Sequence, residues 1–554
     1  MKFQAAAVAA CAALVLSGCQ AGDVADLGAG VEESAPADIA DYSAQELTWG
    51  ECDPEWLMES TPTNHGFECA SLDVPALYDA SAVDVPDFRI AMMRRTPESG
   101  ESLGTIFINP GGPGVSGMDQ LQWSPFPEEM VDNFTVIGFD PRGVGQSDFA
   151  DGSEIHCSDE LDLASYFEES SPGSEAELDE VAAVIDEFYQ DCSSRNPYWW
   201  TLSTDNVVRD LDIMREVVTP GEPLNFIGSS YGTTIAGRYV SLFPETVGKI
   251  VFDSPTTVDT NRIQSALEGL AADEQKLRIY VQGYADNQGL TFEEAWDDVM
   301  EVKQLADDDQ LYGFAGVVPV PEYEGVFISS EYLLWRGILA LNYQPEDQAI
   351  QVFTEGIYYA LNPDYRWMGT FEYFALDLDG YDAEVLYSTS AGQREIVRDN
   401  SFEVMGIVNT MDYAPEPLSI DEQKELSRRS AEVAPLLDEL YSDASGYEYF
   451  GEPKSMSWED IARDDPAIPD PPTEPFVPSN PSGTPLLIVG STNESVTPFQ
   501  FAKDTADLLG SPLIAVEGSN HAPVAYYDND CVNRILMDYL LDRADIVSVT
   551  CPAP

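Results

Sequence analysis

The chain has 554 residues, which is too long for one compact core and predicts two structural units or one domain with a large insertion. Hydrophobic residues make up 44% of it, which excludes a chain that is disordered or fibrous overall. The 99 acidic residues against 26 basic ones give a net charge of −73, and this charge excludes a nucleic-acid-backbone binder. The charge is typical either of a solvated acidic shell or of adaptation to a salty medium.

The N-terminal segment predicts export. An apolar run from Ala5 to Leu16 is too short to span a bilayer and is typical of a signal-peptide core. The sequence Leu16-Ser17-Gly18-Cys19 resembles the bacterial lipobox, which implies cleavage before Cys19 and lipidation of its thiol; an ordinary secretory signal is the alternative. We therefore expect a signal peptide over 1–18, a flexible tether over 19–43, and attachment to the outer face of a bacterial membrane by lipid alone.

Short apolar strands alternate with helices from Thr105 onward, which predicts an α/β protein with a mostly parallel sheet that is buried on both faces. The predicted strands are Thr105–Asn109, Phe134–Phe139, Leu224–Ile227, Lys249–Asp253, Pro485–Val489 and Leu513–Val516. The predicted helices are Asp205–Val218 with Thr204 as its N-cap, Thr233–Phe243, Phe499–Leu509 and Cys531–Leu541.

A long insertion interrupts this alternation and must have a structure of its own. We expect residues 44–256 and 481–554 to form the core, and residues 257–480 to form a mostly helical cap over the carboxyl edge of the sheet. Predicted cap helices are Ile263–Tyr280, Tyr332–Leu341 and Ile420–Tyr441.

A Gly-x-Ser-x-Gly motif marks the candidate nucleophile. Gly228-Ser229-Ser230-Tyr231-Gly232 follows a predicted strand and opens a predicted helix, which is the context that a nucleophile elbow requires. The two glycines allow strand and helix to approach closely around a strained turn that exposes Ser230. A plain strand-to-helix turn is the alternative.

The general base and its acid follow from chain order, which in this fold is serine, acid, histidine. The chain has three histidines, and only His521 follows the last core strand, since His65 and His156 precede the sheet or the motif. Glu494 is the carboxylate in the loop after the preceding strand, and it would orient His521. Asp504 and Glu517 are the other candidates for the acid.

The oxyanion hole needs two backbone N–H donors. One is expected from Tyr231, just after the nucleophile. The other is expected from the loop Asn109-Pro110-Gly111-Gly112-Pro113-Gly114, where Gly112 is the first choice and Gly111 the second. A merely tight turn is the alternative reading of this loop.

Eight cysteines are present. Cys11 would leave with the signal peptide and Cys19 would carry lipid, so six remain in an oxidising compartment and three disulfides are expected. The simplest connectivity is sequential. A zinc site is the competing interpretation, but the absence of any CxxC pair and the scarcity of histidine argue against a metal. The sequential pairs are Cys52–Cys69, Cys157–Cys192 and Cys531–Cys551.

These motifs, together with Asp140-Pro141-Arg142-Gly143-Val144-Gly145-Gln146-Ser147 and Val496-Thr497-Pro498, resemble the exported tripeptidyl-aminopeptidase-like branch of the proline iminopeptidase group. The resemblance covers about residues 45–551 and is weakest in the cap. It implies the α/β-hydrolase fold and a serine hydrolase, free of cofactor, that releases short peptides from free N-termini. Glu494 and Ser495 depart from the family, which usually has Asp and Pro there.

Three functions remain open: a peptidase acting at free N-termini, an esterase with the same triad, and a non-catalytic binding protein, against which the intact motifs argue. We expect a monomer whose partner is a peptide substrate. Arg142 is expected to tie its loop through carboxylate pairs. Asp253, behind the elbow, is either structural or a ligand for a substrate amine.

Overall fold

The computed structural model describes residues 39–58, 66–78, 85–153, 155, 190, 192–258, 262–308, 310–311, 334, 337–378, 400–412, 428–441, 468, 472 and 476–554. The predicted signal peptide, Cys19 and most of the tether lie outside the described residues, as do His65, His156 and Cys157. Among the described residues, no helix is long and apolar enough to cross a membrane.

A ten-stranded sheet of order β1-β2-β3-β5-β4-β6-β7-β8-β9-β10 forms the centre of the described chain. The pairs from β5 to β10 are parallel, whereas β1, β2 and β3 join antiparallel at one edge. The predicted α/β class with a mostly parallel sheet is therefore confirmed. The strands are β1 Gly50–Glu51, β2 Phe67–Val74, β3 Phe88–Arg95, β4 Thr105–Asn109, β5 Thr135–Phe139, β6 Leu224–Ser229, β7 Val247–Asp253, β8 Leu487–Ser491, β9 Leu513–Val516 and β10 Val549–Cys551.

The parallel strands β4 to β9 match the sequence prediction because each contains a short apolar run that is largely buried. Strand β8 is buried at every position, and β4 is buried at all but its first. The antiparallel edge and the parallel strand β10 at the opposite edge were not predicted. Strand β3 carries only four consecutive apolar residues, Ile90–Met93, between charged neighbours, and β10 has three residues. Apolar runs this short give only a weak hydrophobic periodicity in the sequence.

Helices cover both faces of the sheet. They are α1 Ile39–Ser43, α2 Gly117–Trp123, α3 Glu128–Asn133, α4 Thr204–Val218 and α5 Gly232–Leu242 in the first part, and α12 Phe499–Leu509 and α13 Asp530–Leu540 in the last. The predicted N-cap of α4 was wrong by one residue. Ser203 caps the helix by accepting the N–H of Asn206, because the hydroxyl of Thr204 is bonded to Tyr231 and Asp412 instead.

The segment between β7 and β8 is helical wherever it is described in regular structure. Its helices are α6 Arg262–Gln288, α7 Phe292–Asp307, α8 Glu346–Leu361, α9 Gly369–Leu378, α10 Ser401–Asp412 and α11 Pro435–Tyr441, with a 3₁₀ turn at Leu341–Tyr343. The single helix predicted over 420–441 was wrong in part. Its described portion breaks at Ala434, because a residue before proline disfavours helical geometry.

The described residues form three hydrophobic clusters, one on each face of the sheet and one within the segment inserted between β7 and β8. The helices α6, α7, α8, α9 and α11 contribute to a cluster of their own that includes Leu277, Phe353 and Phe371. Helix α10 differs, since Val404, Ile407 and Met411 pack into the cluster under the sheet. The inserted segment is therefore joined to the sheet by α10, and this helix is part of the core that carries the site.

Two of the sequential disulfides are present. Cys52 pairs with Cys69 at the β1–β2 edge, and Cys531 at the start of α13 pairs with Cys551 of β10. Cys192 is also disulfide-bonded, but Cys157 lies outside the described residues, so that pairing stays a prediction.

The structural role predicted for Arg142 agrees with its contacts. Its fully buried guanidinium donates to both carboxylate oxygens of Asp210, at 2.8 and 2.6 Å, and to three backbone carbonyls. Tyr78 donates its hydroxyl to the same carboxylate at 2.6 Å. One bidentate ion pair thus holds the loop after β5 against the segment after β2 and against helix α4.

Replacing Asp210 by alanine should strongly destabilise the protein, because Arg142 would keep a buried charge without a counter-ion. We expect a loss of about 3–5 kcal/mol in the free energy of unfolding, measured by urea denaturation. Asp73→Ala removes the carboxylate of the exposed pair with Arg89 and should cost about 0–1 kcal/mol. Equal losses in the two variants would contradict this account.

Candidate active site

Ser230 lies in the turn between β6 and α5 with a left-handed backbone, φ 54°. A non-glycine residue rarely adopts this region, and it is tolerated where the surroundings hold it in place. The flanking glycines provide the room: a Cβ atom on Gly228 would lie 2.2 Å from the carbonyl oxygen of Gly232. The N–H of Ser230 donates to the carbonyl oxygen of Asp253 at 2.9 Å. The turn therefore has the geometry of a nucleophile elbow.

Glu494 lies in the loop after β8 and is almost fully buried. Its Oε1 contacts Nδ1 of His521 and accepts hydrogen bonds from the Thr497 hydroxyl at 2.6 Å and N–H at 3.3 Å. Its Oε2 accepts the Ser254 hydroxyl at 2.7 Å. Both carboxylate oxygens are thus occupied, and the contact at Nδ1 leaves Nε2 of His521 for proton transfer.

The two other candidates for the acid lie elsewhere. Asp504 is within α12 and accepts a hydrogen bond from Gln500 at 2.7 Å. Glu517 is exposed at the end of β9. Among the described residues, neither carboxylate bonds to His521, so the geometry favours Glu494.

His521 is held by the loop that follows β9. The next N–H, of Ala522, donates to the Ser254 hydroxyl at 2.9 Å, and the N–H groups of Val524 and Ala525 donate to the Asp253 carboxylate at 3.1 Å each. The Ser230 hydroxyl makes no direct hydrogen bond to His521 in this structure. Such bonds often tighten only when substrate is present.

The glycine-rich loop after β4 packs directly against the elbow. A Cβ atom on Gly111 would lie 2.8 Å from the backbone nitrogen of Tyr231 and 2.9 Å from Cβ of Ser230. The N–H of Gly111 is already donated to Asn109 Oδ1 at 3.0 Å. Among the described residues the N–H of Gly112 has no hydrogen-bond partner, so it is the better placed of the two to bind an oxyanion with the Tyr231 N–H.

Comparison with known proteins agrees with this geometry. Residues 104–300 match the alpha/beta hydrolase fold family, and residues 460–544 match the TAP-like protein family. The chain is 25% identical over 488 residues to serine protease Hip1 of Mycobacterium tuberculosis, covering 86% of this chain and 85% of the relative. It is 26% identical over 535 residues to carboxylesterase B of the same organism, covering 94% and 92%. It is 29% identical over 311 residues to tripeptidyl aminopeptidase of Streptomyces lividans, covering 52% and 53%.

The chain has the α/β-hydrolase fold and a TAP-like segment in its C-terminal part. Its fold and its relatives make it a serine hydrolase, as the sequence predicted.

Asp253 of this hydrolase has a structural role, which decides between the two readings of its position. The carboxylate is fully buried, and the Ser229 hydroxyl donates to it at 3.0 Å in addition to the two N–H groups of the histidine loop. All its contacts are internal, so it joins the elbow to the histidine loop. Burial raises the pKa of Asp253 to about 7, although the hydrogen bonds that its carboxylate accepts act to lower the pKa.

Sequence reasoning missed the polar network behind the elbow. The Tyr231 hydroxyl bonds to Thr204, and Thr204 donates its N–H to Asp412 at 2.8 Å. Arg238 lies within 3.7 Å of the same carboxylate and donates to Asp205 at 2.6 Å. Asp412 ends α10, so this network ties the inserted segment to the residue after the nucleophile. Asp412 is more than 170 residues from every other member in sequence, and the network carries no local motif.

The inserted segment also touches the loops of the triad. Gln275 donates to Asn493 at 3.1 Å, and Ser519 donates to Glu346 at 2.7 Å. Lys276 is fully buried beside them, and no hydrogen bond of its amino group is found among the described residues.

The surroundings of Lys276 determine its charge. Burial lowers its pKa to about 8, and the carboxylates of Glu346, Glu494 and Asp273 oppose that shift. Its ammonium therefore partly balances a concentration of negative charge next to the triad. Among the described residues, no group of three His, Cys, Asp or Glu side chains is arranged to hold a metal ion.

The raised pKa of Asp253 predicts a pH-dependent contribution to stability. The folded protein retains a proton at Asp253 that the unfolded chain releases near pH 4. This contribution is therefore full below about pH 4 and is lost as the pH rises through about 7. In Asp253→Asn it is absent, so the stability of wild type relative to this variant should fall by a few kcal/mol from pH 4 to pH 7.

The measurement is urea unfolding of both proteins across that pH range. Ser229→Ala is the matched control, because it removes one bond to Asp253 and keeps the carboxyl group. It should lower stability without removing the pH trend. A constant difference between wild type and Asp253→Asn would contradict the assignment.

Proposed function

We propose that this hydrolase is a serine peptidase that releases short peptides or amino acids from free peptide N-termini through an acyl-enzyme. Ser230 attacks the carbonyl carbon, and His521 takes its proton at Nε2. Glu494 holds the imidazole and stabilises the imidazolium. The N–H groups of Tyr231 and Gly112 bind the oxyanion. The observation that carries the proposal is the buried Glu494–His521 contact, placed by Ser254 beside a strained serine elbow.

The reaction has two steps, acylation of Ser230 and hydrolysis of the acyl-enzyme. The bond from Ser230 Oγ to the carbonyl carbon forms, the C–N bond breaks, and the leaving amine takes the proton from His521. Water then attacks the ester carbonyl carbon while His521 accepts its proton, the bond from that carbon to Ser230 Oγ breaks, and His521 returns the proton to Oγ as the carboxylic acid product leaves.

A free N-terminus is favoured over an acylated one by the charge of the site. Asp273 and Glu346 place negative charge, which Lys276 balances only in part, at the boundary between the inserted segment and the triad loops. A protonated amine is attracted there, and a neutral amide is not. The resemblance to tripeptidyl aminopeptidase supports the same reading, and the resemblance to serine protease Hip1 supports a peptidase.

An esterase is the second candidate, because the chain is similar over most of its length to a protein named carboxylesterase B. The same triad and oxyanion hole would cleave a carboxylic ester with an alcohol as the leaving group. For either activity we propose export and a lipid anchor at Cys19, since the lipobox-like sequence and the disulfides both suit an extracytoplasmic protein.

Substitution of the triad tests the mechanism. Ser230→Ala and His521→Ala should each reduce kcat by about 10⁴–10⁶-fold, and the double variant should lose little more, because the residues act as a unit. Glu494→Gln should cost about 10²–10⁴-fold, since it disturbs the tautomer and keeps the base. Asp504→Asn and Glu517→Gln are the controls and should retain activity. A fluorophosphonate should label Ser230 in the wild type, and normal turnover by Ser230→Ala would refute the mechanism.

Substrate choice tests the reaction class. Chromogenic amides of one, two and three residues should be cleaved when the N-terminus is free. N-acetylation should lower kcat/KM by about 100-fold or more, because a charge-assisted contact is lost and carboxylates are left unpaired. Short acyl esters are assayed in parallel to test for esterase activity. Equal cleavage of free and acetylated peptides, with faster cleavage of the esters, would establish the esterase instead.

A further inference from the structure

We propose that Trp123, Tyr343 and Tyr526 form a leaving-group subsite, which binds an aromatic or large apolar group directly after the bond that is cleaved. The proposal rests on the proposed function for the roles of Ser230 and His521. It adds a preference on the side of the substrate that the acyl-enzyme does not retain.

Two of the three rings flank the imidazole of His521, and the third packs on one of these two. The ring of Tyr343 lies 5.8 Å from it, centroid to centroid, at an interplanar angle of 84°. The ring of Tyr526 lies 6.0 Å from it at 66°. Trp123 packs on Tyr526, with centroids 4.9 Å apart. These are ordinary separations for interacting aromatic rings, so the histidine and the three aromatic residues form one continuous cluster.

The cluster is assembled from three distant segments. Trp123 ends α2, which follows the glycine-rich loop; Tyr343 belongs to the 3₁₀ turn of the inserted segment; and Tyr526 follows His521. The Tyr526 hydroxyl reaches the carbonyl oxygen of Pro110 at 3.4 Å, so its ring lies between the histidine and the oxyanion loop. That is the region into which a substrate bound in the oxyanion hole must extend.

Two of the rings keep much of their surface in solvent. Trp123 is 42% exposed and Tyr343 is 45% exposed. Large apolar side chains on a soluble protein are normally scattered singly, and a converging set marks a surface that binds something. Here the exposed ring of Tyr343 contacts the catalytic histidine, and the exposed ring of Trp123 reaches it through Tyr526, so the substrate itself is the group that would cover them.

Proton transfer identifies which part of the substrate this is. Nδ1 of His521 is engaged by Glu494, so Nε2 must deliver the proton to the leaving nitrogen or oxygen. The leaving atom therefore lies within hydrogen-bond distance of His521 when the bond breaks. Its first side chain is then within reach of rings that flank the same imidazole. Stacking on two rings predicts a preference of about 10-fold in kcat/KM for an aromatic over a small leaving group.

The test compares substrates that share one acyl half. Peptides with Phe, Leu, Ala or Gly directly after the scissile bond are assayed for kcat/KM. Benzyl and methyl esters of the same acyl group are assayed in parallel, so the comparison holds for either bond. The wild type should prefer Phe over Gly, and benzyl over methyl, by about 10-fold. Trp123→Ala and Tyr343→Ala should each remove most of this preference by slowing the aromatic substrates.

Tyr365→Ala is the matched control, because Tyr365 is a 65% exposed tyrosine of the inserted segment outside the cluster. It should keep the wild-type preference. Two outcomes would overturn the subsite while Ser230 still reacts with fluorophosphonate. The wild type would not discriminate among leaving groups, or Trp123→Ala and Tyr343→Ala would slow all substrates equally. Failure of that labelling, with no cleavage of peptide or ester, would refute the proposed function and the subsite together.

Discussion

The dipeptide at the end of β7 is the structural centre of the site. The Asp253 carbonyl oxygen accepts the N–H of Ser230, and its carboxylate accepts the N–H groups of Val524 and Ala525. The next residue, Ser254, donates to Glu494 and accepts the N–H that follows His521. Nucleophile, acid and base thus come from three loops that are fixed against one strand end. Because these groups are buried, each lost bond would leave a polar atom without water to replace its partner.

Packing and hydrogen bonds attach the inserted segment to this centre. Helix α10 packs into the core under the sheet, and its last residue, Asp412, bonds to the network behind Tyr231. At its other end, a Cβ atom on Gly114 of the oxyanion loop would lie 2.5 Å from the carbonyl oxygen of Ser401. The helix therefore contacts the oxyanion loop directly and is linked to Tyr231 through Thr204. A displacement of the inserted segment would also displace the backbone of the oxyanion loop and of Tyr231, since close-packed interiors transmit strain.

Five basic residues are buried in the part of the chain that the structure describes. The side chains of Arg142, Arg215, Arg238 and Lys303 are each less than a tenth exposed, and each has a carboxylate partner. Lys276 is buried among carboxylates near the triad. The surface is consequently left with a large surplus of negative charge. Such a surface keeps a protein soluble and is stabilised by screening ions, and both readings of the composition remain compatible with it.

The sequence alone determined the features that depend on local chemistry. Buried parallel strands read as apolar runs, and a strained serine turn requires its two glycines, so the sheet from β4 to β9 and the positions of Ser230, Glu494 and His521 could be predicted. Only the tertiary structure decided what depends on contacts between distant segments. It separated the structural from the amine-binding reading of Asp253, linked Asp412 to Tyr231, and gathered aromatic residues around His521. Those contacts join residues with no fixed spacing in sequence, because loop ends are brought together by the sheet and not by any local period.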